Sequence, residues 1–502
     1  MAFGAAGAFG GSRFVAAPGL VPTGSPRLRF GVLSDIHIRY MSHPGGPDRI
    51  GGSSNDTFLH ALEWFRDQGV DAVLVAGDMA DNGLVAQLEA VAQTWRSVFP
   101  DNKAPDGRRV EPVFVYGNHD MGGPPYARKS FRRGKGSGDE LADAIIYSKP
   151  KEAWEKVFGE PYEPVYRKTV KGYSFIGAQW MSMGCLGKDE AFNAGIADFY
   201  AREGRRLDPA LPFFHVQHPH PKDTCYGPWA WGRDVGLSTS ALSAFPNAVA
   251  FSGHSHYSLT DERSIWQGAF TSVGTSSLLF TTFANGELGS DGYENTRSFG
   301  PGAREADAKK LMPALGTHDC RQGMLWSVYD DCIAVKRREF LSGLDVGPDW
   351  VMPLPAAESR PFAFAEHARR HKAPQFAAGA TVKVEHGKAK PRGARPKSGK
   401  GAENSPEMAV VNVSVPAPVQ DADSRLYSLE FAAEGLDGRR VAKRVAARGY
   451  NHSLSCAVAS SRQCCALARE TLPGPSVRFV VTPFNCFGSG GAPLVSDWME
   501  IT

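Results

Sequence analysis

Carboxylates, imidazoles and a carboxamide recur in this chain as four short signatures in a fixed order. They are Asp35 with His37, Gly77-Asp78, Gly117-Asn118-His119-Asp120 and Gly253-His254-Ser255-His256. Asp, His and Asn together are donors for divalent cations, so the chemistry that such a set would do is metal chemistry. One Asp-x-His or one Gly-Asp says almost nothing, and each residue taken singly defaults to a cap or a turn. Their weight comes from what precedes them. Leu28–Leu33, Ala72–Ala76, Val113–Tyr116 and Ala248–Phe251 are short apolar, β-branched or aromatic runs that read as buried strands. Every signature therefore falls on a loop at a strand end, where sites gather in layered α/β folds.

In order and content these motifs resemble the calcineurin-like metallophosphoesterase superfamily, which includes purple acid phosphatases and many phosphodiesterases. The family pattern also has a lone histidine at a strand end between its Asn-His and Gly-His-x-His motifs. Here Phe213–Gln217 leads into His218, which fits that place. The resemblance implies that Asp35, His37, Asp78 and His256 bind one metal, and Asp78, Asn118, His218 and His254 a second, with Asp78 bridging. It implies two divalent or mixed-valence ions drawn from Mn, Fe and Zn, and hydrolysis of phosphate mono- or diesters by a metal-activated hydroxide. Two ions ~3.5–4 Å apart would lower the pKa of a shared water and neutralise the phosphoryl oxygens. His119, the non-ligand histidine of its motif, would face the phosphate as general acid or transition-state hydrogen-bond donor, with Asp120 orienting its ring. Asp81 would either support the site likewise or be a solvated loop carboxylate.

His215 lies inside its strand and reads as a core histidine, and His220 as a pocket-lining neighbour of His218. His43, His60, His318, His367, His371, His386 and His452 receive no role. No tyrosine stands close behind Gly77-Asp78, where purple acid phosphatases carry an iron-bound one, so ferric tyrosinate chemistry is not implied. Arg128 to Lys135 carries five basic residues, either a lid that attracts a phosphorylated substrate or a solvated loop. Trp180, Trp229 and Trp231 would stack on a sugar or base, or else belong to the core.

These loops need a frame. Phe58, Leu62 and Phe65 share one face of a helix over Thr57–Gln68 that ends at Gly69, and a second amphipathic helix covers Leu84–Val98. With the strands they give the βαβ rhythm of a layered α/β domain. Further strands are expected at Tyr173–Ala178, Ala269–Val273, Met324–Tyr329 and Ile333–Arg337, the last two as a hairpin. The resemblance implies two sheets face to face with helices outside, a four-layer β-sandwich, over residues 27–356. Residues 373–502 read as a separate all-β sandwich with a basic loop at 388–400. The stretch Val481–Gly488 resembles fibronectin type III-like domains.

The 502 residues are 42% hydrophobic and 22% charged, as in ordinary globular proteins, with a net charge of only +3. That balance makes nucleic acid an unlikely partner and favours a small phosphorylated substrate. No apolar run reaches the ~18–20 residues of a membrane span. Residues 1–26 resemble an export signal without its basic start, or else a disordered tail, so the compartment reads as periplasmic or extracellular, with the cytoplasm as alternative. Eight cysteines include no C-x-x-C pair. Two functions from different classes follow: a metal-dependent phosphoesterase, or a binding protein on that scaffold working through its C-terminal β-domain. The ligand set is complete, which favours the enzyme.

Overall fold

The structure is a computed structural model that describes residues 21–41, 49–51, 53–130, 142–181, 190–227, 230, 232–281, 320–389, 407–419, 421, 423–447 and 462–501. The expected export signal before residue 21, Phe131–Lys135, Trp229, Trp231 and most of the basic loop 388–400 lie outside them.

In chain order the strands are β1 (Leu28–Leu33), β2 (Arg39–Met41), β3 (Arg49–Gly51), β4 (Ala72–Ala76), β5 (Glu111–Val115), β6 (Val165–Val170), β7 (Tyr173–Ala178) and β8 (Phe213–Val216). There follow β9 (Ala248–Ser252), β10 (Ile265–Gln267), β11 (Thr271–Gly274), β12 (Gln322–Val328), β13 (Cys332–Glu339), β14 (Leu344–Asp345) and β15 (Trp350–Pro353). One sheet has the order β14-β13-β12-β1-β4-β5, with β15 also on β13; the other runs β10-β11-β9-β8-β7-β6. The expected hairpin is present, with Val328 opposite Ile333.

The helix Ser53–Asp67 carries the chain from β1 to β4, which lie parallel as a βαβ crossover requires. Its Phe58, Leu62 and Phe65 are buried against the first sheet together with the helices Val85–Val98 and Pro150–Phe158. Gly31 of β1 is a glycine because a Cβ there would come within 2.5 Å of the Phe65 ring. Between the sheets lies a second core, with Phe30 at its hub. That ring sits 4.6 Å from Phe214, 5.3 Å from Phe175, 5.9 Å from Trp326 and 6.0 Å from Phe251. The helices Glu190–Glu203 and Leu237–Leu242 cover the outer face of the second sheet. The result is the expected four-layer α/β architecture of helices, sheet, sheet and helices.

Beyond a short helix at Phe364–Arg370 the described residues form β-strands with one short 3-10 turn at Arg469–Thr471. Lys383–Ala389, Met408–Pro416 and Arg462–Ala468 form one antiparallel sheet. Arg440–Ala446, Ser428–Gly435, Ser476–Phe484 and Leu494–Val495 run side by side in the other, with Met499–Glu500 also on Ser476–Phe484. Val411, Val413, Phe431, Phe479 and Val481 form a core there. The alternation in Met408–Pro416 and Ser476–Phe484 puts one face of each strand inward. Cys464, Cys465 and Cys486 are free thiols.

Candidate metal centre

β1, β4 and β5 run parallel, and so do β8 and β9 in the facing sheet. Their carboxyl ends deliver Asp35, Asp78, Asn118, His218 and His254 to one edge of the sandwich. Backbone bonds clip the loops together: Asp35 N–H donates to Gly77 O (3.0 Å), His37 N–H to Asp78 O (2.9 Å) and Gly253 N–H to His218 O (3.0 Å).

The glycines of the motifs have a steric reason. A Cβ on Gly77 would run into the His218 ring, and one on Gly117 into Asp78. On Gly253 it would stand 2.5 Å from Asp35 Oδ2. The turns are strained as well. Asp35, His37, Asp78, His254 and His256 all hold positive φ, between 49° and 70°. Side chains avoid that region, and clusters of such residues mark sites where the surrounding structure enforces the geometry.

Two groups of donors result. In the first, His37 Nδ1 faces Asp81 Oδ1 at 3.1 Å and His256 Nδ1 faces the Phe280 carbonyl at 3.1 Å. Both partners only accept, so Nδ1 carries hydrogen in both rings and Nε2 is the atom turned inward, with a lone pair for a cation when its proton is gone. The two Nε2 atoms are 3.2 Å apart, and Asp35 Oδ1 lies 3.0 Å from that of His256. In the second, His218 Nδ1 donates to Ala76 O at 2.7 Å, which leaves its Nε2 bare. That atom is 2.9 Å from Asn118 Oδ1 and 3.2 Å from Asp78 Oδ2, with the His254 ring 4.8 Å from that of His218. Lone pairs that converge like this repel unless a cation or a proton lies among them. The residues present thus fit metal ions. Asp35, His37 and His256 form one group able to hold a cation, Asp78, His218 and His254 another, and His37, Asp78 and His119 a third that overlaps both.

The electrostatics agree. Burial opposes charge on His37, but Asp35, Asp81 and Asp78 outweigh it and push the imidazole up to about 10. His218 is likewise desolvated, yet Asp78 and Asp35 carry it to about 9. Burial works against Asp35 and Asp78 too, and the surrounding histidines still hold both carboxyls well below their usual range. Without metal, protons take the place of cations.

His119 is half-buried beside this edge. Its backbone N–H donates to Asp78 Oδ1 (2.7 Å), and its Nδ1 faces the Asp81 carbonyl at 2.8 Å. Nε2 is therefore the atom left for proton transfer. Burial lowers its pKa. Tyr126 stands edge-on to the ring at 4.8 Å. Asp120 differs from the sequence expectation. Its carboxylate accepts from the backbone N–H groups of Gly117 (2.7 Å), Ala80 (2.7 Å) and Met79 (3.3 Å), so it ties the Asp78 and Asn118 loops together instead of orienting His119. Asp81 holds both rings, His37 through its carboxylate and His119 through its carbonyl. An Asp three residues after Gly-Asp was the only trace of this in the sequence.

His215 is a core residue, bonded to Tyr200 Oη and Gln217 Oε1 at 2.9 Å each. His220 has both ring nitrogens on hydroxyls, Ser252 and Ser255, at 2.7 Å, and so braces the His254–His256 turn from behind. Trp180 is buried against His218 and His254, 5.8 Å from each ring.

The sequence model of the calcineurin-like phosphoesterase family matches residues 28–258, which include every residue of the centre. No curated protein sequence matches the chain. Among solved structures, a dimetal phosphatase from Danio rerio aligns at 12% identity and a TM-score of 0.33, covering 64% of this chain and all of that one. A purple acid phosphatase from yellow lupin seeds aligns at 12% identity and 0.36, covering 64% and 53%. A Vps29 with bound zinc from Entamoeba histolytica aligns at 9% and 0.28, covering 65% and 99%.

Proposed function

We propose that the protein hydrolyses phosphate mono- or diesters at a two-metal centre. Asp35, His37 and His256 would hold one ion, Asn118, His218 and His254 the other, and Asp78 would be shared. One observation carries this reading. Asp78 Oδ2 lies 3.2 Å from His218 Nε2 on one side and 3.6 Å from His37 Nε2 on the other, so a single carboxylate oxygen faces both donor groups. When bound, two such cations supply Lewis acidity toward the phosphoryl oxygens and lower the pKa of water between them.

The chain's own residues do the rest. Asp81 fixes the His37 and His119 rings, and Asp120 locks the loops that carry Asp78 and Asn118. His119, with Nδ1–H committed to the Asp81 carbonyl, offers Nε2 to protonate the leaving oxygen or to bond a phosphoryl oxygen. Stripping metal with a strong chelator should abolish turnover of an aryl phosphate, and Mn²⁺, Zn²⁺ or Fe²⁺ should restore it. Unchanged hydrolysis in the metal-free protein would defeat the proposal. The substrate is a small phosphorylated compound in this reading, and a panel of aryl mono- and diesters, nucleotides and phospholipid head groups would narrow it.

A further inference from the structure

His367 and His371 drew no role from the sequence, yet they meet at the junction of the first sheet with the C-terminal β-region. They stand four residues apart, His367 in the helix Phe364–Arg370 and His371 capping its end, so both rings fall on one helical face. Facing them is Glu262, in the short turn Glu262–Ser264, six residues along the chain from His256. The ligand-capable atoms of these three residues all lie within 4.8 Å of one another. His367, Glu262 and His371 are only 1%, 7% and 6% exposed.

The two imidazoles are not hydrogen-bonded as buried histidines should be. Nε2 of His367 and Nε2 of His371 are both buried with no hydrogen-bond partner. Glu262 Oε2 is 3.4 Å from His367 Nε2. An unmet polar atom in the interior is costly, and two of them beside one carboxylate call for an explanation. Burial lowers the pKa of both rings, His367 to about 4, so they are neutral and their nitrogens are available as ligands. Glu262 is ionised, because Arg337 at 2.7 Å outweighs its burial.

We propose that Glu262, His367 and His371 form a second metal site, which takes Zn²⁺ with a fourth position left to water. Two imidazole nitrogens and one carboxylate oxygen are a recognised zinc donor set. Arg337 binds Oε1 and the Trp350 indole N–H binds Oε2 at 2.7 Å. These contacts orient the carboxylate and leave Oε2 a second lone pair toward the histidines. The Arg337 charge lowers the affinity such a site can reach, and a bound ion would pin two chain segments. The segments pinned are the turn after His256 and the helix leading into the C-terminal strands. From that C-terminal side, the Phe487 ring lies 5.1 and 5.2 Å from those of His367 and His371. Asn485 Nδ2 donates to the carbonyls of His371 and Lys372, at 3.2 Å each.

The test is a zinc count on the full chain, wild type against His367→Gln and His371→Gln, after zinc loading and desalting. Each variant should carry one equivalent fewer than the wild type, whatever the first centre holds, and the rise in Tm produced by zinc should shrink in both. Equal zinc in the wild type and the folded variants overturns the proposal. Should neither variant fold, anomalous scattering at the zinc edge from wild-type crystals decides. A peak about 2.0–2.1 Å from both Nε2 atoms is expected, and its absence overturns the site.

Discussion

Asp78 and His119 touch through one backbone hydrogen bond, yet they should fail in different ways when changed. Asp78→Asn removes the anion that faces both donor groups, and the neutral amide is a far weaker bridge between cations. It should lose both ions, read as metal per chain. His119→Ala removes only a proton donor, and such groups contribute ~10²–10⁴-fold in rate. It should keep two ions while kcat falls by about that factor, and the loss should be smallest for esters of good leaving groups such as nitrophenolate. If His119→Ala sheds metal as Asp78→Asn does, His119 is a ligand. His215 offers a test away from the metals. Burial lowers its pKa to about 4 in the folded protein, against an ordinary 6.5. The folded state therefore resists the proton that the unfolded chain accepts. The stability His215 contributes is complete above pH 6.5 and is lost as pH falls from 6.5 toward 4, at up to about 1.4 kcal/mol per pH unit. Urea unfolding at pH 7, 6 and 5 should fall off less steeply for His215→Gln than for the wild type. Equal slopes would mean that His215 is not held neutral.

Among the elements, β1 is the most exacting. Its Phe30 fills the space between the sheets and its Gly31 receives Phe65 from the helix, so one strand serves two cores on alternate residues. Gly31→Ala should cost about 1–3 kcal/mol by overpacking. Because the Asp35 loop is clipped separately to Gly77, metal content should stay at the wild-type value; a folded variant that loses metal would show that β1 packing sets the loop. The strands that carry ligands were readable because each is a continuous apolar run ending in a polar motif. Val165–Val170 and Arg440–Ala446 escaped because both lie at sheet edges, where charged and half-exposed residues break the pattern. The helix Phe364–Arg370 is too short for a period to show. The Asp81 carbonyl under His119 could not have been foreseen, since a backbone oxygen leaves no mark on sequence. Glu262 and His371 are more than a hundred residues apart, and nothing in either local pattern predicts that they meet.

At the scale of the molecule, none of the described residues after Lys383 belongs to the donor groups between Asp35 and His256. Those residues do pack on the supports of these groups: Phe487 and Asn485 cover His367 and His371, the Arg263 guanidinium sits 4.9 Å from the Tyr427 ring, and Arg425 donates to Val346 O. Deleting Gln375 to Thr502 should therefore leave turnover of a small aryl phosphate largely intact but lower Tm, by about 2–4 °C for each kcal/mol of stabilisation that this packing supplied. A folded truncation that binds metal yet cannot turn over substrate would mean that these sheets complete the pocket. Among the described residues, no helix is long and apolar enough to cross a membrane.

The sheet order also bears on how the protein is made. β1 is made well before its antiparallel neighbour β12, which ends at Val328. At ~5–20 residues per second, roughly 15–60 s of synthesis separate the two strands. During that interval one edge of β1 is open and Asp35 and His37 wait for His218, His254 and His256. A nascent chain halted before Ser252 should be prone to aggregation and unable to hold either ion in place. On the proposed function, metal loading would thus be a late event in the life of this chain, and its cellular yield should depend on what shields the open β1 edge until β12 arrives.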